Sequence, residues 1–333
     1  MPVSATASGT PGATPIFRDA TDEAMTARAH ARFAAERRRL ARRRPGRGAL
    51  PNLIVIGGLK CGTTSLHHYL SLHPGVAMSR PKELNFFIGE LNWELGREWY
   101  TSHFDSRAPV RGESSPHYTN RPRFEGVAER MRSVAGGARI VYMVRDPIDR
   151  LLSHYLHNVG GGYDRRPLAE ALADDRSSYW QRSRYAYQVE PYVEAFGADR
   201  VAVVSREELK DDRAATMRRL FQFCGVDPSF SSPEFEREWE TGSAKGSGGF
   251  RVLDRAVRLP GLRGLDRNFD RLPERLRWLV ERVIHDPTAG AAAKPELPAE
   301  LRERMASAFA PEVERIERLA GRPFGWRVGV AGR

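Results

Sequence analysis

The chain has few of the residues that mark a secreted, membrane-spanning or metal-bound protein. Its 333 residues include only two cysteines, Cys61 and Cys224, which excludes a disulfide framework. No apolar stretch approaches the roughly 20 residues of a membrane span, and the opening residues MPVSATASGT lack the apolar core of a signal peptide. The nine histidines are scattered without the spacing of a zinc site. We therefore expect a cytoplasmic protein without a metal ion.

Positive charge is concentrated at the start of the chain. The net charge is +11, and residues 1–48, with ten arginines and four acidic residues, carry +6 of it. Such a segment could bind nucleic acid or an anionic membrane. We favour a solvated helix and linker in a chain that is rich in arginine throughout. The sequence thus predicts a flexible arginine-rich arm over 1–48 and one domain over 49–333, with nucleic acid not the expected partner.

The segment Pro51–Ser65, PNLIVIGGLKCGTTS, is the most informative part of the chain. The short apolar run Leu53–Ile56 predicts a buried strand, and Thr63–Leu72 predicts a helix. A glycine loop between a strand and a helix N-terminus suits a phosphate group, because unpaired backbone N–H groups and the helix dipole favour negative charge there. We therefore predict a phosphate-binding loop; the alternative is a turn that uses glycine for its geometry alone.

The loop departs from the G-x-x-x-x-G-K-[ST] pattern of nucleoside triphosphatases. Gly57 and Gly62 have the spacing of that pattern, but Thr63 stands where the pattern has lysine. The cation comes three residues earlier, at Lys60, from where it can reach past a phosphate to the group attached to it. A nucleotide or small-molecule kinase that uses the loop for ATP is the alternative function, and Thr63 at the lysine position disfavours it.

A second segment, Arg139–Tyr155 (RIVYMVRDPIDRLLSHY), also runs from an apolar strand into a helix. Pro147 falls early in that helix, where proline is tolerated. Arg145 follows the strand directly, and Ser153 lies about two turns into the helix. Ligands of open α/β sheets bind outside the carboxyl ends of the strands, so we expect Arg145 and Lys60 to face the same crevice. Two anion sites in one crevice predict a ligand with phosphate groups at both ends.

Strand and helix signals alternate along the rest of the chain. Further elements are predicted as follows: strands at Val110–Glu113 and Arg200–Val204, a helix that runs to Phe223, aromatic core residues within Ser178–Phe196, and amphipathic cover at Arg251–Arg282 and near Pro298–Ala320. Such alternation implies a parallel sheet with helices on both sides. We therefore predict a P-loop-like, three-layer α/β fold with a central parallel sheet flanked by helices.

The segments Pro51–Ser65 and Arg139–Tyr155 resemble motifs of the sulfotransferase superfamily that uses 3′-phosphoadenosine 5′-phosphosulfate (PAPS). IVIGGLKCGTTSL looks like the family's 5′-phosphosulfate loop, and IVYMVRDPIDRLLSHY looks like its 3′-phosphate motif. The resemblance implies that PAPS is the co-substrate and that Arg145 and Ser153 bind its 3′-phosphate. On the 5′ side the resemblance implies contacts from Lys60, Cys61, Gly62, Thr63, Thr64 and Ser65.

Three supporting matches extend the resemblance over roughly residues 51–327. HPGVAMSRPKELNFF is similar to the region that places the catalytic acid or base in the glycan-modifying and bacterial branches. TGSAKGSGGFR (Thr241–Arg251) resembles the late loop that closes over the 3′-phosphate, which implies contacts from Lys245 and Gly246. LAGRPFGW is similar to the family's Leu-x-Gly-Arg ending with a tryptophan soon after. The family's adenine site also makes Tyr185 a candidate ligand.

The implied reaction is transfer of a sulfuryl group to a hydroxyl group. Like phosphoryl transfer, it is an in-line displacement with charge spread over peripheral oxygens, so positioning and electrostatics carry most of the catalysis. A bridged sulfuryl group carries less negative charge than a terminal phosphoryl group, so lysine and a helix N-terminus can suffice without Mg²⁺. We expect Lys60 to stabilise the charge that develops on the leaving phosphate.

Glu83 is the expected general base, because the glycan branch of the family uses a glutamate at the matching position. A carboxylate serves as a base there only if its surroundings bring its pKa toward neutrality. Asn85 stands where that branch often has histidine, which weakens any transfer of the substrate class. The structural alternative for Glu83 is a surface ion pair with Lys82 or Arg80.

Other groups near the crevice are less specific. His117 and His103 are rival bases, and Glu113 could assist, although Ser114 replaces the lysine that follows the matching glutamate in the glycan branch. Positive charge around the loop could lower the pKa of Cys61, but we interpret this residue as a small loop filler. The acceptor is expected to be a hydroxyl-bearing small molecule or glycan, and the sequence specifies neither its identity nor the oligomeric state.

Overall fold

A computed structural model describes residues 48–160, 162–236, 295–326 and 328. The predicted arm, apart from its last residue, lies outside the described residues. So do the loop Thr241–Arg251 and the predicted cover Arg251–Arg282. The division into an arm and one domain therefore stays a prediction.

The core of the fold is a five-stranded sheet in which every strand pair is parallel. Its strands are β1 (Leu53–Gly57), β2 (Val76–Met78), β3 (Val110–Ser114), β4 (Arg139–Val144) and β5 (Val201–Ser205). Their spatial order is β2-β3-β1-β4-β5. Because all strands run the same way, the segments that follow β1, β3, β4 and β5 leave the sheet at one edge, which is formed by the carboxyl ends of the strands.

Burial explains why these segments form strands. All five residues of β1 are buried, as are all residues of β4 except Arg139. Strands of a parallel sheet that is covered on both faces are continuous apolar runs rather than alternating ones. The four predicted strands correspond to β1, β3, β4 and β5 and are confirmed to within a residue at each end. The short edge strand β2 was not predicted, because only three residues pair there.

Helices cover both faces of the sheet. They are α1 (Thr63–Ser71), α2 (Gly96–Thr101), α3 (Val127–Ala135), α4 (Pro147–Gly160), α5 (Leu168–Ala171), α6 (Ser178–Gln181), α7 (Tyr185–Phe196), α8 (Arg206–Asp211), α9 (Arg213–Cys224) and α10 (Ala299–Ala320). The helices α3, α4, α7 and α10 form one group and contact one another, while α1 and α9 meet on the opposite face through Tyr69, Phe221 and Phe235. The predicted three-layer α/β fold is confirmed.

The helix predicted to run to Phe223 is two helices. Asp212 lies between α8 and α9 with φ −139°, and its side chain accepts the N–H of Ala215 at 3.0 Å. Aspartate favours such a cap over a helix interior, because its carboxylate satisfies an N–H group that the helix cannot. The chain therefore ends one helix at Asp211 and begins the next at Arg213.

The C-terminal segment is attached to the edge of the sheet that carries the crevice. Arg322 makes two hydrogen bonds to the carboxylate of Glu208, at 2.5 and 2.8 Å. The indole of Trp326 donates to Glu207 at 3.2 Å, and the other oxygen of Glu207 lies 3.4 Å from the N–H of Asp146. The LAGRPFGW ending thus reaches the segment that follows β4.

Candidate active site

The loop between β1 and α1 has the backbone expected of a phosphate cradle. Its start is held by a 2.6 Å hydrogen bond from the N–H of Gly58 to the carbonyl of Met143. Lys60 has φ 67° and Gly62 has φ 92°, the left-handed region that glycine adopts readily and lysine rarely. A lysine in that region costs conformational energy, which a functional loop can retain.

The N-terminus of α1 carries no side-chain cap. Gly62 is the N-cap residue and supplies no side-chain cap, and the first turn contains no acidic residue. The first N–H groups of a helix lack intrahelical partners and carry the positive end of the dipole. Thr63 is buried, and Thr64 and Ser65 are half-buried. The structure therefore places the residues predicted for the 5′ side at one helix end.

The side chain of Cys61 faces the interior, which agrees with its interpretation as a small loop filler. The residue is fully buried, and its Sγ lies 3.8 Å from the Tyr185 hydroxyl. Burial raises the pKa of the Cys61 thiol to about 11 and outweighs the opposing effects of Arg150 and Arg145. The suggested lowering of its pKa is therefore wrong. The thiol fills space beneath the loop, so only its main chain can contact a ligand.

Arg145 lies where β4 ends, on the same side of the sheet as the loop. Its side chain is 8% exposed, and its guanidinium is 3.6 Å from the Asp149 carboxylate one turn into α4. The Nε atom is buried without a hydrogen-bond partner, and an unmet donor of this kind is costly unless a ligand satisfies it. Ser153 is half-buried two turns along α4. This donor geometry suits an anionic group.

Tyr185 is not placed to bind adenine. The residue begins α7 and is fully buried, so no face of its ring is open to a nucleotide. Its hydroxyl donates to the carbonyl of Arg145 at 2.7 Å and accepts the Arg145 N–H at 3.3 Å. The prediction of a cofactor ligand is corrected: Tyr185 supports the crevice from behind.

His154, on α4, is a buried histidine whose pKa is affected by Lys60. The pKa of His154 is well below its usual value, chiefly because of burial and further because of Arg150, Arg182 and Lys60. The imidazole Nδ1 of His154 has no hydrogen-bond partner.

Glu83 lies in the segment that follows β2, in a strained backbone conformation. Its φ is 67°, and its N–H donates to the carbonyl of Ser114 at 3.0 Å. The Nζ of Lys82 is 2.7 Å from its Oε1, and 37% of the Glu83 side chain is exposed. The ion pair considered as the structural alternative is thus present. It places a cation beside a carboxylate that solvent and substrate can reach.

The other predicted bases have different surroundings. His117 is half-buried, and Arg182 lies 3.1 Å from its Nδ1. Burial, followed by Arg182, lowers the pKa of His117 to about 3. His103 packs edge-on against Trp99. Glu113 is fully buried and hydrogen-bonded to three hydroxyl groups, so the expectation that it assists in proton transfer is wrong.

Two residues at this edge were not predicted. His67, on α1, lies 3.0 Å from the hydroxyl of Ser114, and burial followed by Lys82 lowers its pKa to about 4. Arg206 begins α8 after β5, and its Cγ is 3.7 Å from the position that a β-carbon at Gly62 would take. An arginine directly after an apolar strand was the available signal for Arg206. His67 had no comparable signal.

The structure thus brings together the segments of Lys60, Glu83, His117 and Arg145, which follow neighbouring strands. The predicted contacts Lys245 and Gly246 lie outside the described residues. Within the described part of the chain, no group of three metal-ligating side chains could hold a metal ion. No helix in the same part is long and apolar enough to cross a membrane, and the expected cytoplasmic location stays a prediction.

The chain matches a family of known proteins over the whole of the described sheet. The family model for the sulfotransferase domain matches residues 50–245, which is more than half of the chain. The protein therefore belongs to the sulfotransferase family. This finding confirms the resemblance carried by the two anion-binding segments.

Curated relatives agree with this assignment. The bifunctional heparan sulfate N-deacetylase/N-sulfotransferase 1 of Caenorhabditis elegans is 27% identical over 256 residues, which cover 71% of this chain and 28% of that protein. The membrane-associated sulfotransferase kil1 of Dictyostelium discoideum is 38% identical over 111 residues, covering 32% of this chain and 22% of that protein. The chain thus spans about a quarter of the length of these relatives.

A solved structure supports the fold. A sulfotransferase from Alicyclobacillus acidocaldarius superposes with a TM-score of 0.57 at 25% sequence identity. The match covers 83% of this chain and 98% of that one.

Proposed function

We propose that this chain transfers the sulfuryl group of PAPS to a hydroxyl group of a carbohydrate, lipid or secondary-metabolite acceptor. The proposal rests on two candidate anion sites at one sheet edge. One is the uncapped helix N-terminus beside Lys60, and the other is the buried guanidinium of Arg145 with an unmet donor. A nucleotide that carries phosphate at both its 3′ and 5′ positions needs two such anion sites.

The residues have separate roles in this proposal. Arg145 and Ser153 bind the 3′-phosphate, and the N–H groups of residues 62–65 bind the 5′-phosphate. The bound co-substrate supplies the sulfuryl group. Lys60 stabilises the negative charge that develops on the leaving phosphate, an effect that is strong in a partly buried site. Glu83 accepts the proton of the acceptor hydroxyl.

Exposure of the side chain supports Glu83 over His117 as the residue that the acceptor can reach. A base must be reachable by the acceptor and basic enough to take its proton. The depressed pKa of His117 makes it a weak base, and Arg182 adjoins one of its ring nitrogens. The carboxylate of Glu83 is exposed in part. His117 is then a neighbour that shapes the acceptor side of the crevice.

The test is an assay with sulfur-labelled PAPS against a panel of saccharide, phenol and lipid acceptors. We expect label to appear in at least one acceptor class without added Mg²⁺, and we expect no phosphoryl transfer from ATP. Magnesium-dependent ATP turnover without sulfuryl transfer would instead support the kinase alternative. The acceptor that takes up the label would also define the substrate class.

A further inference from the structure

Glu113 is a buried carboxylate that the proposed reaction does not use. It lies in β3, has no exposed surface, and receives hydrogen bonds from three hydroxyl groups. Tyr100 donates at 2.6 Å, Ser115 at 2.7 Å and Tyr118 at 2.9 Å. Burying a carboxylate is costly even when it is hydrogen-bonded. Because this burial is costly, we expect the Glu113 carboxylate to have a role beyond filling the core.

Two of these hydroxyl groups also hold the backbone of a neighbouring segment. The Ser115 hydroxyl accepts the N–H of Asn85 at 3.0 Å, and the Tyr118 hydroxyl accepts the N–H of Phe86 at 3.0 Å. An ionised carboxylate only accepts hydrogen bonds. Both hydroxyl groups donate to the carboxylate oxygens of Glu113, and their lone pairs accept the two N–H groups.

The segment held in this way has an unfavourable backbone conformation. Glu83 has φ 67° and Asn85 has φ 49°, and side chains other than glycine rarely occupy this left-handed region. Such conformations persist only where the surrounding structure determines them. The N–H groups of Glu83, Asn85 and Phe86 are all bonded to residues 114–118, so the segment after β3 supplies that constraint.

We propose that Glu113 is a positioning residue, which acts through the hydroxyl groups of Ser115 and Tyr118 to hold residues 83–86 so that the Glu83 carboxylate faces the acceptor. This inference rests on the proposed role of Glu83 as the base. Glu113 itself touches neither substrate.

The network contains a matched control. Tyr118→Phe and Tyr100→Phe each remove one hydroxyl group from the same oxygen of Glu113, but only the Tyr118 hydroxyl holds a backbone N–H group. Misplacing a catalytic group by a fraction of an ångström to 1 Å costs about tenfold to a hundredfold in rate. We expect Tyr118→Phe and Ser115→Ala to lower kcat by that range. Binding of the desulfated nucleotide 3′,5′-ADP (PAP), measured by calorimetry, should be retained. Tyr100→Phe is expected to keep kcat near that of the unsubstituted chain.

Two further readouts separate positioning from general stability. Amide hydrogen exchange should accelerate at Phe86 in Tyr118→Phe and at Asn85 in Ser115→Ala, and at neither in Tyr100→Phe, because exchange reports the loss of individual amide partners. The pH profile of kcat should shift in the first two variants, since the surroundings of the base change. Glu113→Gln should reproduce the loss in kcat, because its amide turns a donor toward one hydroxyl. If Glu113→Gln fails to fold, the variants Tyr118→Phe, Ser115→Ala and Tyr100→Phe still test the proposed positioning role.

Equal losses of kcat in Tyr100→Phe and Tyr118→Phe would overturn the inference, as would unchanged exchange at Asn85 and Phe86. Turnover that survives Glu83→Gln would overturn both the base assignment and this role of Glu113. If Glu83→Gln abolishes turnover but the tyrosine variants behave alike, the proposed function stands and the positioning role alone is wrong.

Discussion

The hydroxyl group of Tyr185 holds the main chain of Arg145 at two points. It donates to the Arg145 carbonyl at 2.7 Å and accepts the Arg145 N–H at 3.3 Å. The same hydroxyl lies 3.8 Å from the Cys61 sulfur beneath the phosphate loop. The two proposed anion sites therefore share one buried support, which links the end of β4 to the loop after β1.

Tyr185→Phe should lower the melting temperature and weaken PAP binding. The substitution leaves two buried polar groups of Arg145 without this partner, and such a loss costs about 1–3 kcal/mol. Calorimetry with PAP and thermal unfolding are the measurements. Tyr187→Phe, on the same helix, is the control: the Tyr187 ring lies against Arg121, which phenylalanine preserves. Equal PAP affinity in Tyr185→Phe and the unsubstituted chain would contradict the shared support.

Lys60→Ala should lower kcat by more than about tenfold while PAP binding is largely retained, because the lysine acts on charge that develops during transfer. Steady-state kinetics and calorimetry are the measurements. Lys210→Ala removes an exposed lysine of α8 and should leave kcat unchanged. An unchanged kcat in Lys60→Ala would remove Lys60 from the proposed mechanism.

Arg145→Ala should weaken the binding of PAP far more than that of 5′-AMP. A hydrogen bond to a charged group contributes about 1.5–3 kcal/mol, and only PAP carries the 3′-phosphate that would receive it. The control is Arg139→Ala, which removes an exposed arginine at the opposite end of β4. Calorimetry that shows equal losses for the two nucleotides would refute the placement of the 3′-phosphate.

Glu83→Gln should abolish turnover and retain PAPS binding, because the amide keeps the shape of the side chain without its basicity. His117→Ala should be the milder change. Single-turnover kinetics with labelled PAPS measure both variants. The opposite ranking, with near-normal kcat in Glu83→Gln and none in His117→Ala, would assign the base to His117.

Lowering the pH from 7 to 5 should destabilise the protein. Burial holds the pKa of His67 at about 4 and that of His117 at about 3, against about 6.5 in an unfolded chain. Below pH 6.5 the unfolded chain therefore binds protons that the folded chain does not, and stability falls with the pH. Urea unfolding at pH 7 and 5 measures the difference. His67→Gln should reduce the difference in unfolding free energy between pH 7 and pH 5. An undiminished difference would contradict the depressed pKa of His67.

Much of the fold followed from local patterns. The strands β1 and β4 were predictable because both faces of a parallel sheet are buried, which requires continuous apolar runs. The meeting of the Lys60 loop and Arg145 at one edge followed from the common direction of the strands. The edge strand β2 carried too short a signal, since three residues cannot show a periodicity.

The supporting residues could not be predicted in the same way. Whether Tyr185 offers its ring to a ligand or lies beneath the crevice depends on how α7 packs against β4, and no local pattern encodes that. Glu113 looked like an available acid at a strand end. Its hydroxyl partners include Tyr100, which α2 brings in from 13 residues away, so its burial is a property of the assembled core.

The sequence by itself determined the phosphate loop, because the glycines, Lys60 and the first turn of α1 are contiguous and their backbone geometry is local. It also determined four of the five strands and the alternation of strands with helices. Only the tertiary structure decided that Cys61 and Tyr185 face each other in the core, 124 residues apart, and that residues 83–86 are held by the end of β3. Burial and hydrogen bonding between distant segments arise when the sheet and helices assemble, and they decide which polar side chains remain available for chemistry.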